Sequence, residues 1–291
     1  MSKSRKAIVT LTIGTKYEQM FNVYCRSNWR KYCDKHDYDL IVINENLDDT
    51  QRSKERSPAW QKLLILSQEW SSSYDQIVWV DTDIFINATN SPCIASLVPL
   101  DKFGAVETYS IPSKDIHHIA LKRSYENWQK NGVDYIDNAT PGLYYENRGI
   151  PGGDLDKVAQ TGVYVCSPKH HRDIFEHIYN TYEDIHKSAE WNYEMPAMSY
   201  ELVKNNMVHW IPAEYNFCVG GIVSSFYPFI FHNKKSSFSR RAYSKVMRKL
   251  GFNEELSPVQ KMCLKNIYDI GYFIHFAGCS GWMPSLHNQL Q

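Results

Sequence analysis

Asp81 and Asp83 stand two residues apart in a run of strand-forming apolar residues, with Gln76-Ile77-Val78-Trp79-Val80 before them and Ile84-Phe85-Ile86 after. Side chains alternate faces along a strand, so this spacing puts both carboxylates on one face and Thr82 on the other. Two like charges inside a hydrophobic strand repel each other and resist desolvation unless something positive sits between them. A divalent cation meets that need. Carboxylate oxygen suits Mn2+ or Mg2+, and Mg2+ completes its shell with water and substrate phosphate. The pair points to a metal-diphosphate site at the end of a central strand. Its bland alternative is a strand end whose acids cap the next helix or sit in water.

The elements around the pair read as an α/β chain. Residues 6–14 (KAIVTLTIG) form a buried first strand with a tight turn after it, residues 17–36 a helix, and residues 39–44 a second strand. Strand, helix and strand in that order imply a parallel sheet with right-handed crossovers. Nucleotides bind such sheets at the carboxyl ends of the strands, so Thr12, Gly14, Thr15 and Tyr17 are candidates to touch a base or ribose. Neither a GxGxxG nor a P-loop pattern is present. Residues 46–57 read as a loop, after which Ser57 caps and Pro58 starts a helix that carries Lys62, a candidate phosphate partner or an ordinary solvated lysine. Residues 103–107 give a further strand. Residues 108–156 lose periodicity, apart from one helix near 116–131, and suit an acceptor-side or lid region.

Beyond that stretch, residues 158–167 return to strand chemistry and carry Gln160, Thr161 and Gly162. An amphipathic helix over 168–185 follows, then a helix with Glu194 at its head. A strand and turn cover 207–217, and residues 229–232 (FIFH) read as a short strand. Lys234, Lys235, Arg240, Arg241, Lys245, Arg248 and Lys249 make a basic helix, a solvated face or a peripheral contact to a phosphate-rich or membrane-surface acceptor. A last strand holds His275, and Gly278 and Gly281 let backbone amides approach a phosphate.

Composition narrows the function classes. With 32 Lys+Arg against 32 Asp+Glu over 291 residues, no net field favours nucleic acid. The apolar run behind the basic N-terminus is too short for a secretory leader, and no stretch reaches the roughly 18 apolar residues of a membrane span. Seven cysteines with no CxxC pair argue for free thiols in a reducing compartment, hence a cytoplasmic location.

The chain resembles the GT-A fold glycosyltransferases that use nucleotide-diphosphate sugars, with matching sites from the first strand to the last. Asp81-Thr82-Asp83 looks like their DxD motif. Pro58-Ala59-Trp60-Gln61-Lys62 resembles the helix before that motif in the glycogenin-like enzymes and the yeast galactosyl/mannosyltransferase group. Gln160-Thr161-Gly162-Val163 is similar to their Asn-Ser/Thr-Gly-Val segment, and Glu194-Met195-Pro196-Ala197-Met198 to a stretch whose acid faces the transferred sugar. His275-Phe276-Ala277-Gly278 is similar to the C-terminal His-x-x-Gly, whose His completes the metal shell. Gln160 and Met195 depart from that pattern, and Cys279-Ser280-Gly281-Trp282 stands where the glycogenin-like enzymes often carry Lys-Pro-Trp.

The resemblance implies one GT-A domain over 1–291, a mostly parallel Rossmann-like sheet flanked by helices. Its parts are a nucleotide-binding half (1–107), an acceptor-side half (108–235), and a C-terminal helical and irregular extension with the closing His strand (236–291). It also implies Mn2+ or Mg2+ on Asp81, Asp83 and His275, a UDP-sugar donor, a glycan or lipid-linked acceptor, and a tilt toward retention of configuration. Glu194 would position the sugar; if the enzyme inverts, Asp154 or Asp156 could deprotonate the acceptor. Two alternatives stay open. One is a phosphatase of the haloacid dehalogenase type, which also reads Asp-x-Asp after a strand, usually the first; the other is a non-catalytic nucleotide-sugar binding protein.

Overall fold

The computed structural model describes residues 4–130, 132, 137–184, 193–230 and 256–291. The basic run from Lys234 to Lys249 and the end of the expected 229–232 strand lie outside the described residues.

Strand β1 (Lys6–Leu11) turns at Gly14, whose φ of +95° suits a residue without Cβ. Helix α1 (Thr15–Met20) continues through a π turn (Phe21–Cys25) into α2 (Arg26–His36), and β2 (Asp39–Ile43) follows. The expected loop at 46–57 contains a short helix, α3 (Gln51–Glu55), capped by Thr50. The segment opened by Ser57 and Pro58 is a 3-10 helix (Pro58–Ser67). Then come β3 (Gln76–Val80), β4 (Ile84–Ile86), β5 (Phe103–Glu107), α4 (Lys114–Lys130) and α5 (Pro141–Glu146). The expected irregular stretch is thus partly helical. The chain continues through β6 (Ala159–Cys166), α6 (Pro168–Thr181), α7 (Met195–Lys204), β7 (Val208–Trp210), β8 (Phe217–Cys218) and α8 (Val219–Phe226). Helix α9 (Pro258–Ile270), β9 (Phe273–His275) and α10 (Met283–Leu290) close it. Phe229 sits in a 3-10 turn (Pro228–Ile230), not in a strand.

Six strands form one sheet in the order β2-β1-β3-β6-β5-β7. β1 pairs in parallel with β2 and β3, β6 runs antiparallel to β3 and β5, and β7 is parallel to β5. The sheet is therefore mostly parallel, with β6 reversed. Both faces are buried, as its near-continuous apolar strands require. Ile8, Val78 and Val80 pack toward Trp29, Tyr32 and α9, whereas Val9, Ile77 and Trp79 pack toward Trp60, Leu63 and α6.

A second sheet, β4-β9-β8, alters the sequence reading at its centre. Asp81 and Asp83 do not lie inside one continuous strand. β3 ends at Val80, the acids occupy a turn, and β4 pairs with β9 in the other sheet. A ladder between two hydrophobic layers would strand charged carboxylates away from water. Leaving the sheet after Val80 gives the Asp81 and Asp83 side chains 29% and 24% exposure.

Trp29 anchors this crossing. It is fully buried, its Nε1 donates to the Ile84 carbonyl at 2.8 Å, and its ring meets Phe21 edge-on at 5.0 Å. Trp29→Ala is expected to cost about 3–5 kcal/mol, read as a lower urea midpoint with an unchanged slope.

Candidate active site

The second sheet brings His275 to the acids. Ile84 is in register with His275, and the Phe276 N–H donates to the Asp83 carbonyl at 2.9 Å. His275 Nε2 lies 3.3 Å from Asp83 Oδ1, and ligand atoms of Asp81, Asp83 and His275 all fall within 4.8 Å of one another. The other ring nitrogen, Nδ1, faces Asn216 Oδ1 at 2.8 Å and Cys218 Sγ at 3.8 Å. Asn216 is fully buried at the end of a 3-10 turn (Ala213–Asn216). An Nδ1–H donated to it would leave Nε2 as the ligand nitrogen, the usual way a protein orients a metal-binding imidazole.

Charge in the cluster is unbalanced toward the acids. Burial raises the Asp81 carboxyl, with Asp83 and Glu194 adding to it against the pull of Lys62 and His275. For Asp83 burial pushes upward too, but His275 outweighs it and the carboxyl ends below its ordinary range. His275 is the mirror case: burial lowers its affinity for a proton, and Asp83 and Cys218 raise it well above the usual value. Two carboxylates and an oriented imidazole in a partly open site are a donor set that fits Mn2+ or a similar divalent cation, with positions left for water or phosphate.

Gly162 is what makes room for this arrangement. A Cβ at that position would lie 2.4 Å from His275 Cε1, 2.7 Å from Nδ1 and 3.3 Å from Asp81 Oδ2. The same residue's carbonyl accepts the Asp81 N–H at 2.9 Å, which fixes the start of the turn.

Behind Asp81 lies a buried ion network. Lys62, which the sequence left between phosphate partner and solvated lysine, is 4% exposed. Its Nζ is 2.8 Å from Glu194 Oε1 and 3.2 Å from Asp81 Oδ1, and it donates to the Thr161 carbonyl at 3.4 Å. Thr161 Oγ1 donates to Glu194 Oε1 at 2.9 Å, and the Trp79 indole donates to Asp81 Oδ1 at 2.7 Å. Burial works against the Lys62 charge, but Asp81 and Glu194 outweigh it and hold the ammonium protonated beyond the ordinary lysine range.

The structure thus gathers Lys62, Asp81, Asp83, Thr161, Gly162, Glu194 and His275. Thr82 sits in the turn, its carbonyl accepting from Cys25 Sγ at 3.3 Å. Thr12 is buried and joins β1 to β2 through its N–H to Ile43 O at 2.7 Å. Gly14, Thr15 and Tyr17 are exposed at the carboxyl end of β1, on the sheet edge where parallel β3 delivers Asp81. Gln160 is partly buried on β6, and Gly278, with φ +69°, and Gly281 have open space around them after β9. Asp154 and Asp156 are exposed between α5 and β6 and take no part in the network around Lys62. Asn216, Cys218 and Trp79 were not anticipated; an Asn or Cys from a distant turn leaves no spacing signal to find.

No protein-family model and no curated protein sequence matches this chain. Solved structures similar to it include glycosyltransferases. One is involved in glycosylation of the major capsid of PBCV-1, at 14% identity over 99% of this chain and 100% of that one, with a TM-score of 0.49. The bifunctional WbbM aligns at 15% identity over 95% of this chain, TM-score 0.48; the chain spans 46% of its length. The galactosyltransferase LgtC, solved with donor and acceptor sugar analogues, aligns at 12% identity over 98% of this chain and 94% of that one, TM-score 0.44.

Gly162→Ala is expected to weaken Mn2+ binding about 10- to 100-fold by displacing His275, while Gly220→Ala, whose Cβ meets nothing within 4 Å, leaves it unchanged; calorimetric Mn2+ titration of both variants checks this. Lys62→Met leaves two carboxylates without their cation, an expected loss of about 3–5 kcal/mol in unfolding free energy. Because the folded-state proton affinity of Lys62 is raised, its contribution is complete at neutral pH and is lost only as pH climbs above about 10.4 toward the folded value. Urea midpoints of parent and variant should therefore differ at neutral pH and converge in strong alkali.

Proposed function

We propose that this chain is a metal-dependent glycosyltransferase that moves a hexose or pentose from a nucleotide-diphosphate sugar, UDP-sugar favoured, to a hydroxyl of a glycan or lipid-linked acceptor. The observation that carries the reading is the convergence of Asp81, Asp83 and His275 within 4.8 Å at the carboxyl edge of the sheet, backed by the Lys62–Glu194 pair. Asp81, Asp83 and His275 would hold Mn2+ or Mg2+, which when bound supplies electrophilic stabilisation of the departing diphosphate.

The chain's own groups complete the chemistry. Lys62 holds Asp81 and Glu194 in fixed places from behind, so neither carboxylate must reorganise when charge develops in front of it. Glu194, whose Oε1 is already taken by the Lys62 ammonium and the Thr161 hydroxyl, serves to position the sugar and its reacting face. That favours retention over an inverting mechanism, since Asp154 and Asp156, the alternative bases, stand exposed outside the network. Thr12, Gly14, Thr15 and Tyr17 are proposed to meet the nucleotide, Thr82 and Gln160 the donor, and Gly278 and Gly281 the diphosphate. The seven free cysteines suit a reducing compartment such as the cytoplasm.

Calorimetric titration with UDP and GDP, with and without Mn2+, tests the reading on the parent protein and on Asp83→Ala. The expected result is Mn2+-dependent binding of UDP that falls about 100-fold or more in the variant. Absence of binding by the folded parent for either nucleotide would overturn it.

A further inference from the structure

A cleft of about 350 Å³ opens at the ends of β5 and β7, where Glu107, Ser110, Lys157, Trp210 and Glu214 line it. β5 and β7 are parallel to each other and, across the reversed β6, run with β3. Glu107 and Trp210 therefore finish their strands on the edge where β3 delivers Asp81. Two links tie the cleft to the metal centre. On β6, Ala159 pairs with Glu107, and Thr161, which holds Glu194, lies two residues further along the strand, about 7 Å away. In addition, Glu214 belongs to the 3-10 turn (Ala213–Asn216) whose last residue faces His275.

The lining has the chemistry of a sugar site. A pyranose offers an apolar C–H face and a rim of hydroxyls, and an indole flanked by carboxylates meets both. Trp210 is partly exposed, with the Lys157 ammonium 5.3 Å from its ring centroid. Glu107 is buried and already oriented, accepting from the Tyr109 N–H at 2.9 Å and from the Ser110 hydroxyl. Pre-set acceptors of this kind cost little reorganisation when a ligand hydroxyl arrives.

We propose that this cleft seats the acceptor saccharide as a neutral pyranose, its ring on Trp210 and its hydroxyls on Glu214, Glu107 and Lys157. The assignment to the acceptor rests on the glycosyl-transfer reading; the placement of the sugar on Trp210 is tested separately from it.

The Trp210 indole N–H resonance, assigned by its disappearance in Trp210→Phe, is followed while a set of methyl hexopyranosides is added to the full chain. The expected result is a saturable shift of that resonance with at least one of the sugars, its apparent Kd weakened about tenfold by Glu214→Gln. No shift with any of them, or a shift indifferent to Glu214→Gln, overturns the proposal. UDP and Mn2+ titration of the same samples reads the donor site, so a sugar response at Trp210 without nucleotide binding would sink glycosyl transfer and leave the saccharide cleft standing.

Discussion

A lysine ammonium buried between two carboxylates is the interaction on which this site depends. Lys62 reaches Asp81 from the 3-10 segment that precedes β3 and Glu194 at the head of α7, joining three parts of the chain that sequence separates widely. A charge this deep in the protein persists only when paired, and so do its partners. Three acids, Asp81, Asp83 and Glu194, converge there against two cationic side chains, Lys62 and His275. Should His275 offer Nε2 as a neutral ligand, the excess negative charge grows. A divalent ion held by Asp81, Asp83 and His275 would remove it.

The crossing from one sheet to another turns that charge problem into a site. If β3 ran on through Ile86, Asp81 and Asp83 would be locked into a ladder with core on both faces. Instead the chain leaves the sheet at Asp81, and β4 meets β9 in the register that sets His275 against Asp83. Gly162 on the reversed strand β6 keeps the gap between the sheets free of a side chain. Trp29 holds β4 from the other side. The fold and the candidate site are in this sense one construction.

Much of this was legible in the residues. Strands β1, β2 and β3 announce themselves as β-branched runs, β5 and β6 as apolar ones, Pro58 and Ser57 mark the start of the helical segment, and the acidic pair and His275 stand out as candidates that the structure gathers within 4.8 Å. What escaped had physical causes. An apolar run interrupted by acids looks the same whether it stays in one sheet or changes to another, so the turn at Asp81 was hidden. Phe229 and Ile230 are as apolar as a strand residue, yet tertiary packing places them in a 3-10 turn. The burial of Lys62 depends on Glu194, more than a hundred residues downstream, and Asn216 acts through a contact no periodicity encodes.

Asp81, Asp83 and His275 are proposed to hold a divalent ion against which the donor diphosphate would bind. Pulsed electron paramagnetic resonance of Mn2+ bound with UDP tests it most directly. The expected result is coupling to an imidazole nitrogen and to nucleotide phosphorus in one species, with the nitrogen coupling lost in His275→Gln. Mn2+ that shows water protons alone, or phosphorus coupling with no nitrogen in the parent protein, would contradict it.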